Sequence, residues 1–228
     1  MAKMTLGPMA SAISGSIGGT TYSRNRYGVY ARRRAIPVQP NTPFQLNIRA
    51  LLANISQQFK NLTQDQIQSW TTWAATNPIV DVLGNQQILQ ANSCFIKLNH
   101  RLLQAGDPII TDPPLKSPPA PLTSISLEIT PSPLAVKLVF APTPLDTDAR
   151  LQVNAAVVDT TTKKYVKNLI KTLLYSAKAA TSPLDITAAL TNRFGTLQSG
   201  QSIILTAATF DSTTGLISLP LAASGVIS

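Results

Sequence analysis

The chain is short of the residues that do chemistry: its 228 residues include one cysteine, one histidine and ten acids. Cys94 alone permits no intrachain disulfide, which excludes a small secreted domain stapled by cross-links. Its neighbours Ile88, Phe95 and Leu98 mark it as a buried small apolar residue. His100, six positions on, does not complete a zinc site with it. It reads as a polar-face residue near a helix C-terminus, where an imidazolium is mildly favoured. No nucleophile stands beside a base and no two carboxylates are poised together. Asp146 and Asp148 alternate in a turn, where acids are solvated or at most weak calcium ligands. Gly15, Gly18 and Gly19 are not followed by a Lys-Ser/Thr pair, and GxGxxG is absent. The Asn-x-Ser/Thr matches at Asn54 and Asn61 fall in or beside predicted helices and read as chance. The expectation is a non-enzymatic chain with no catalytic residue, no cofactor, no metal site and no small-molecule substrate.

Long apolar runs are missing too. No stretch approaches the roughly 18 apolar residues of a membrane-spanning helix, and MAKMTLGPMASAISG lacks the solid apolar segment of a signal peptide. A soluble or assembled protein made in the cytoplasm is expected. What is present is 44% hydrophobic residues against 13% charged ones, enough apolar material for a sizeable core. The polar remainder, mostly Thr, Ser, Asn and Gln, suits extended strands and quiet packing. The net charge of +9 is concentrated: residues 1–40 hold six basic side chains and no acid, residues 41–116 five against four, and residues 117–228 eight against six.

Four segments follow from the patterning. Residues 1–41 are glycine-rich with short β-prone pieces, TTYS and YGVYARRRAIPV, and Asn25-Arg26-Tyr27-Gly28 is a turn signal; an irregular hairpin or an extended basic arm is predicted. Residues 42–110 carry helical punctuation. Thr42-Pro43 with Gln45, and Thr63 with Gln66, are capping boxes. Phe44, Ile48, Leu51, Leu52, Ile55 and Phe59 line one face of a first helix, and Ile67, Trp70 and Trp73 one face of a second. Ile88, Ala91, Phe95, Leu98 and Leu102 make a heptad stripe on a third, over about 85–105, packed on the first two. Phe44, Trp70, Trp73 and Phe95 are the expected helical packing residues. Residues 111–121, TDPPLKSPPAP, hold five prolines and predict an extended linker. Residues 122–228 turn to period 2: SISLEIT, AVKLVFAP, RLQVNAAVVD, KKYVKNLIKTLLYS, SIILTAATF and LISLPLA read as strands, with SPLDITAALTNRFG open between strand and helix. The predicted class is α+β: an extended N-terminal arm, about three helices, and a C-terminal antiparallel β-sandwich of fibronectin or immunoglobulin type.

The candidate contact residues are Tyr22, Arg24, Arg26, Tyr27, Tyr30, Arg32, Arg33 and Arg34. Arginines neutralise phosphates and tyrosines stack on exposed bases, so nucleic acid is one candidate partner. No helix-turn-helix, zinc finger or RNP motif surrounds them. The same residues suit assembly, with backbone adding to a neighbour's strand edge and arginines meeting acids on the next subunit. A third use is folding back on the chain's own helices.

The stretches Ser14–Gly19, Ser23–Tyr30 and Thr42–Gln45, followed by Trp70-Thr71-Thr72-Trp73-Ala74, resemble a group of small bacterial and prophage-encoded proteins. Their pattern is a Ser-Gly-x-x-Gly-Gly start, a Ser-Arg-x-Arg-x-Gly-x-Tyr segment and Thr-Pro-x-Gln leading into helices. The resemblance covers about the first half of the chain and brings no catalytic residue. It implies a virion structural component of a bacteriophage: a capsid, connector, tail or decoration protein, oligomeric, in contact with copies of itself and other virion proteins. A bacterial surface or filament subunit is the competing expectation.

Overall fold

The computed structural model describes every residue except 1, 9–11, 27, 37, 40, 82–83, 160–165 and 228, and only the backbone of Ala2. Its packing divides the chain into two units, residues 1–50 with 77–89, and residues 51–76 with 90–228.

The first unit is built on turns. Strands β1 (Ala2–Met4), β2 (Gly15–Ile17), β3 (Thr20–Asn25) and β4 (Gly28–Arg33) form one antiparallel sheet in the order β1-β4-β3-β2. Ile17 pairs with Thr20 across the two-residue turn Gly18-Gly19, whose φ angles are 55° and 78°. Both central positions of that turn need positive φ, which glycine supplies without a Cβ clash. Asn25 pairs with Gly28 to close the next hairpin, and Arg34 N–H donates to Gly19 O at 2.7 Å to extend it. Helix α1 (Pro43–Lys60) begins in this unit. Its capping box is made in both directions, Thr42 N–H to Gln45 Oε1 at 3.3 Å and Gln45 N–H to Thr42 Oγ1 at 3.4 Å. Arg49 ties the approach to the helix, donating to Asn41 Oδ1 and Gln39 Oε1.

Helix α1 ends in the second unit, followed there by α2 (Gln64–Thr76), while the short hairpin β5 (Ile79–Val80) and β6 (Gln86–Gln87) belongs to the first. Asp81 in that hairpin pairs with Lys3 of β1 and accepts from Asn85 N–H and Gln87 Nε2. Helix α3 (Ala91–Ala105) starts later than its apolar stripe predicts, because residues 86–87 are extended. It ends at Gly106, with Asp107 N–H returning to Leu102 O at 2.8 Å.

In the second unit Trp70 and Phe95 are fully buried and meet edge to face at 5.5 Å; Phe59 and Trp73 complete the cluster. The indole N–H of Trp70 donates to Thr111 O and that of Trp73 to Pro114 O. Asn99, buried on α3, accepts from Ile110 N–H and donates to Ile110 O. The proline-rich segment is therefore held at its start by side chains of α2 and α3.

The remainder contains β7 (Ser124–Pro131), β8 (Leu134–Ala141), β9 (Ala149–Val158), β10 (Lys171–Tyr175), β11 (Leu184–Asp185), α4 (Thr187–Phe194), β12 (Ser202–Asp211) and β13 (Leu221–Val226). They form two open antiparallel sheets, β10-β9-β12-β13 and β11-β8-β7. Val136, Leu138 and Phe140 of β8, Leu151, Val153 and Ala155 of β9, and Ile203, Leu205 and Ala207 of β12 point into one core, with Leu190 of α4 beside them.

This overturns the predicted class. Among the described residues the chain has four helices, and residues 122–228 form two open, unclosed sheets in place of a closed fibronectin- or immunoglobulin-like β-sandwich, while the N-terminal residues form a sheet of their own in place of an extended arm. Alternation over-counts strands. SPLDITAALTNRFG makes a two-residue strand and an eight-residue helix. LISLPLA supplies only a bridge at Ile217 before β13 begins. KKYVKNLIKTLLYS is a strand only from Lys171 onward among its described residues. In the N-terminal segment Gly18 and Gly19 form the turn that lets β2 and β3 pair.

The loop after β12 presses on α3. Gly215 has φ +74°, and a Cβ there would lie 2.7 Å from Leu98 O. Gly215→Ala is expected to cost about 2 to 4 kcal/mol from backbone strain and overpacking together. Gly200→Ala, at φ +88° in open space, should cost only about 1 kcal/mol of backbone strain. Urea unfolding of both variants checks this, and equal losses would contradict the close approach.

Candidate functional site

The basic segment predicted as the contact region is a sheet, and the strand register decides which side chains share a face. Directly opposed residues of an antiparallel pair point the same way, and neighbours along a strand point opposite ways. The pairs Met4↔Val29, Val29↔Arg24, Ala31↔Tyr22, Arg33↔Thr20 and Thr20↔Ile17 place Met4, Ile17, Thr20, Tyr22, Arg24, Val29, Ala31 and Arg33 on one face. The pairs Lys3↔Tyr30, Tyr30↔Ser23, Thr21↔Arg32 and Ser16↔Thr21 place Lys3, Ser16, Thr21, Ser23, Tyr30 and Arg32 on the other. The first face is apolar at its centre; the second is polar apart from Tyr30.

The predicted residues are therefore only partly brought together. Tyr22 and Tyr30 lie on opposite faces, so they do not form one stacking platform. Arg24 and Arg33 share Tyr22's face at opposite ends of the hairpin, four residues apart along the strand direction, about 13 Å. Arg32 is on the reverse side, Arg26 is in the turn, and Arg34 follows the last strand. Tyr27 lies outside the described residues. All five arginines are exposed, and among the described residues none of them makes an ion pair. Sequence reading missed Met4, Ile17, Val29 and Ala31 as members of the same surface. The signal was the alternation of GVYARR, legible only once its register against TTYSRN is known.

No described residue of the first unit is buried. Ile17 is 77% exposed, Ile36 89%, Val38 87% and Phe44 45%. Among the described residues no helix or further strand of this unit packs closely on the sheet, and Asp81, between β5 and β6, reaches it through Lys3. Among the helical packing residues, Trp70 and Phe95 are at the centre of the second unit's aromatic cluster, Trp73 is half-buried on its edge, and Phe44 stands on the exposed first turn of α1.

The chemically active side chains are elsewhere and apart. Cys94 is buried on α3; burial raises its thiol pKa, with Lys97 opposing. Six residues on a helix separate it from His100 by about 9 Å of rise and well over a turn. Burial, then the neighbouring Arg101, lowers the His100 pKa. Among the described residues no group of three His, Cys, Asp or Glu side chains is gathered as a metal site. No helix among them is long and apolar enough to cross a membrane.

A polar junction binds α3 to the β-strands of the same unit. Arg150 of β9 donates to buried Asp107 at 2.8 Å and to Ser176 O at 3.0 Å, Arg101 donates to Gly215 O, and Tyr175 of β10 donates to Gln104 Oε1. Tyr175 also meets Phe210 at 5.5 Å. These residues carried no motif in the sequence; each is a lone polar residue whose partner is dozens of positions away.

The chain matches no family model, no curated protein and no solved structure.

His100 gives the described surface a pH dependence with a definite sign. Its pKa is lowered on folding, so below about pH 6.5 the unfolded chain binds the proton first and stability falls as pH drops. The urea midpoint should fall between pH 7 and pH 5, and His100→Gln should reduce the fall; an unchanged slope in the variant would contradict the assignment.

Proposed function

We propose that the chain is a non-enzymatic structural subunit of a phage-like virion, a capsid, connector, tail or decoration component made in the host cytoplasm, that joins its neighbours through the N-terminal sheet. The observation that supports this most is the lack of any buried described residue in the first unit. A sheet needs a covered apolar face for independent stability. This one holds Met4, Tyr22 and Val29 only half-covered and Ile17 open to solvent. Another chain supplies the missing cover, as in interfaces where a buried apolar centre carries the contact and charged residues ring it. The N-terminal resemblance to prophage-encoded proteins supports the virion setting, and the partners are copies of this chain and other virion proteins.

Nucleic-acid contact is favoured by one observation, the five exposed arginines without ion pairs among the described residues. The split of Tyr22 from Tyr30 across the sheet speaks against it as the main role, because base stacking beside a phosphate track needs both on one side.

Among the described residues every buried apolar one lies at Ile55 or later. Removal of residues 1–34 is thus expected to leave the near-ultraviolet circular dichroism of Trp70 and Trp73 unchanged. Incorporation into sedimenting particles should fall by about tenfold or more, the scale of losing a central interface patch. Normal incorporation of the truncated chain would refute assembly through this region.

A further inference from the structure

We propose that the apolar face of the N-terminal sheet seats an acidic extended segment of a different protein, with an apolar residue at its centre and a carboxylate on either side. This rests on the assembly reading above and narrows its partner. The face itself sets the complement. Tyr22 and Ala31 form the middle row of the face, between the row Met4-Val29-Arg24 on one side and the row Arg33-Thr20-Ile17 on the other, so each arginine stands beside apolar residues at one end. Tyr, Met and Arg are the residue types enriched at protein interfaces. Two arginines about 13 Å apart match carboxylates at positions i and i+4 of an extended strand, with the apolar residue at i+2 pointing the same way.

Charge excludes the simplest alternative, a second copy of the same face. The first unit holds seven Lys or Arg against one acid, Asp81, and so carries +6 of the chain's +9. Asp81 is already engaged by Lys3, Asn85 and Gln87. Two copies face to face would bring four guanidiniums around one apolar patch with no carboxylate, and desolvating unpaired like charges is strongly unfavourable. Nucleic acid meets the arginines but not the centre. A phosphate backbone offers nothing apolar to Ile17 and Val29, and the arginines are not confined to one side.

Arg32 and Arg33 make the test sharp, because they are adjacent, both exposed and on opposite faces. The probe is a fluorescent soluble peptide repeating Glu-Thr-Val-Thr, titrated with the full chain and followed by anisotropy, with a labelled oligothymidine in parallel. Arg33→Glu should weaken peptide binding about tenfold or more and Ile17→Ser about fivefold, whereas Arg32→Glu should change it less than about twofold. Ile17 is 77% exposed, so its substitution leaves folding intact, and circular dichroism of each variant checks this. Equal losses from Arg32→Glu and Arg33→Glu would overturn the proposal in favour of net charge alone. So would absence of peptide binding, or an oligothymidine that binds more tightly than the peptide. A dimer of the chain alone that survives about 0.5 M salt, where charge is screened within about 4 Å, and is lost in Ile17→Ser would assign the face to a second copy. The truncation described above tests assembly independently, so failure here with that result intact removes only the acidic partner.

Discussion

Among the described residues apolar burial is confined to one of the two units, and most other properties of the chain follow from that constraint. From Ile55 onward the aromatic cluster of α2 and α3 and the core between the two open sheets remove large side chains from water completely. Helix α3 links these two parts. Phe95, Leu98 and Leu102 are buried on it, Gly215 approaches its backbone, and Arg150 reaches Asp107 just past its end. Before Ile55 the chain folds by turn geometry and backbone pairing, with no buried side chain among the described residues. Hydrophobic burial is the main favourable contribution to folding, so the first unit is the part whose order depends most on what else binds it.

Local signals were legible in the sequence where the physics is local. The capping boxes at Thr42 and Thr63 are made as their spacing predicts, with Thr63 N–H on Gln66 Oε1 at 3.0 Å. The positions of β7, β8, β9 and β12 follow the period-2 runs to within a residue or two. The heptad stripe gives the buried side of α3 but misplaces its start, since Ile88 continues the period without continuing the helix. What the sequence did not give is non-local. Closure of the C-terminal sheets depends on which runs pair, and α4 interrupts the strand series where alternation alone is silent. The turn at Asn25–Gly28 marks the β3–β4 hairpin, but the sheet around it is non-local: β2 joins only through the pairing of Ile17 with Thr20 across Gly18-Gly19, and β1 through Met4 with Val29.

The candidate site shows the same division. The sequence marks the residues Tyr22, Arg24 and Arg33, but their grouping follows from register. One row of pairings separates Tyr22 from Tyr30 and Arg33 from Arg32, and so turns a basic aromatic segment into a sheet with one apolar face and one polar face. Net charge then acts on the choice of partner more than on the fold. A unit at +6 with its single acid engaged has no means of neutralising itself, and the open apolar face supplies the complementary reason to seek another chain.

Amide hydrogen exchange of the full chain in isolation tests the central claim most directly, because it reads stability strand by strand. The account predicts that β3 and β4 exchange far faster than β9, β12 and α3, whose amides should be protected close to the global unfolding limit. Protection of β3 and β4 equal to that of β9 and β12 in the isolated chain would contradict it, since a sheet that stable would need no partner to cover its face.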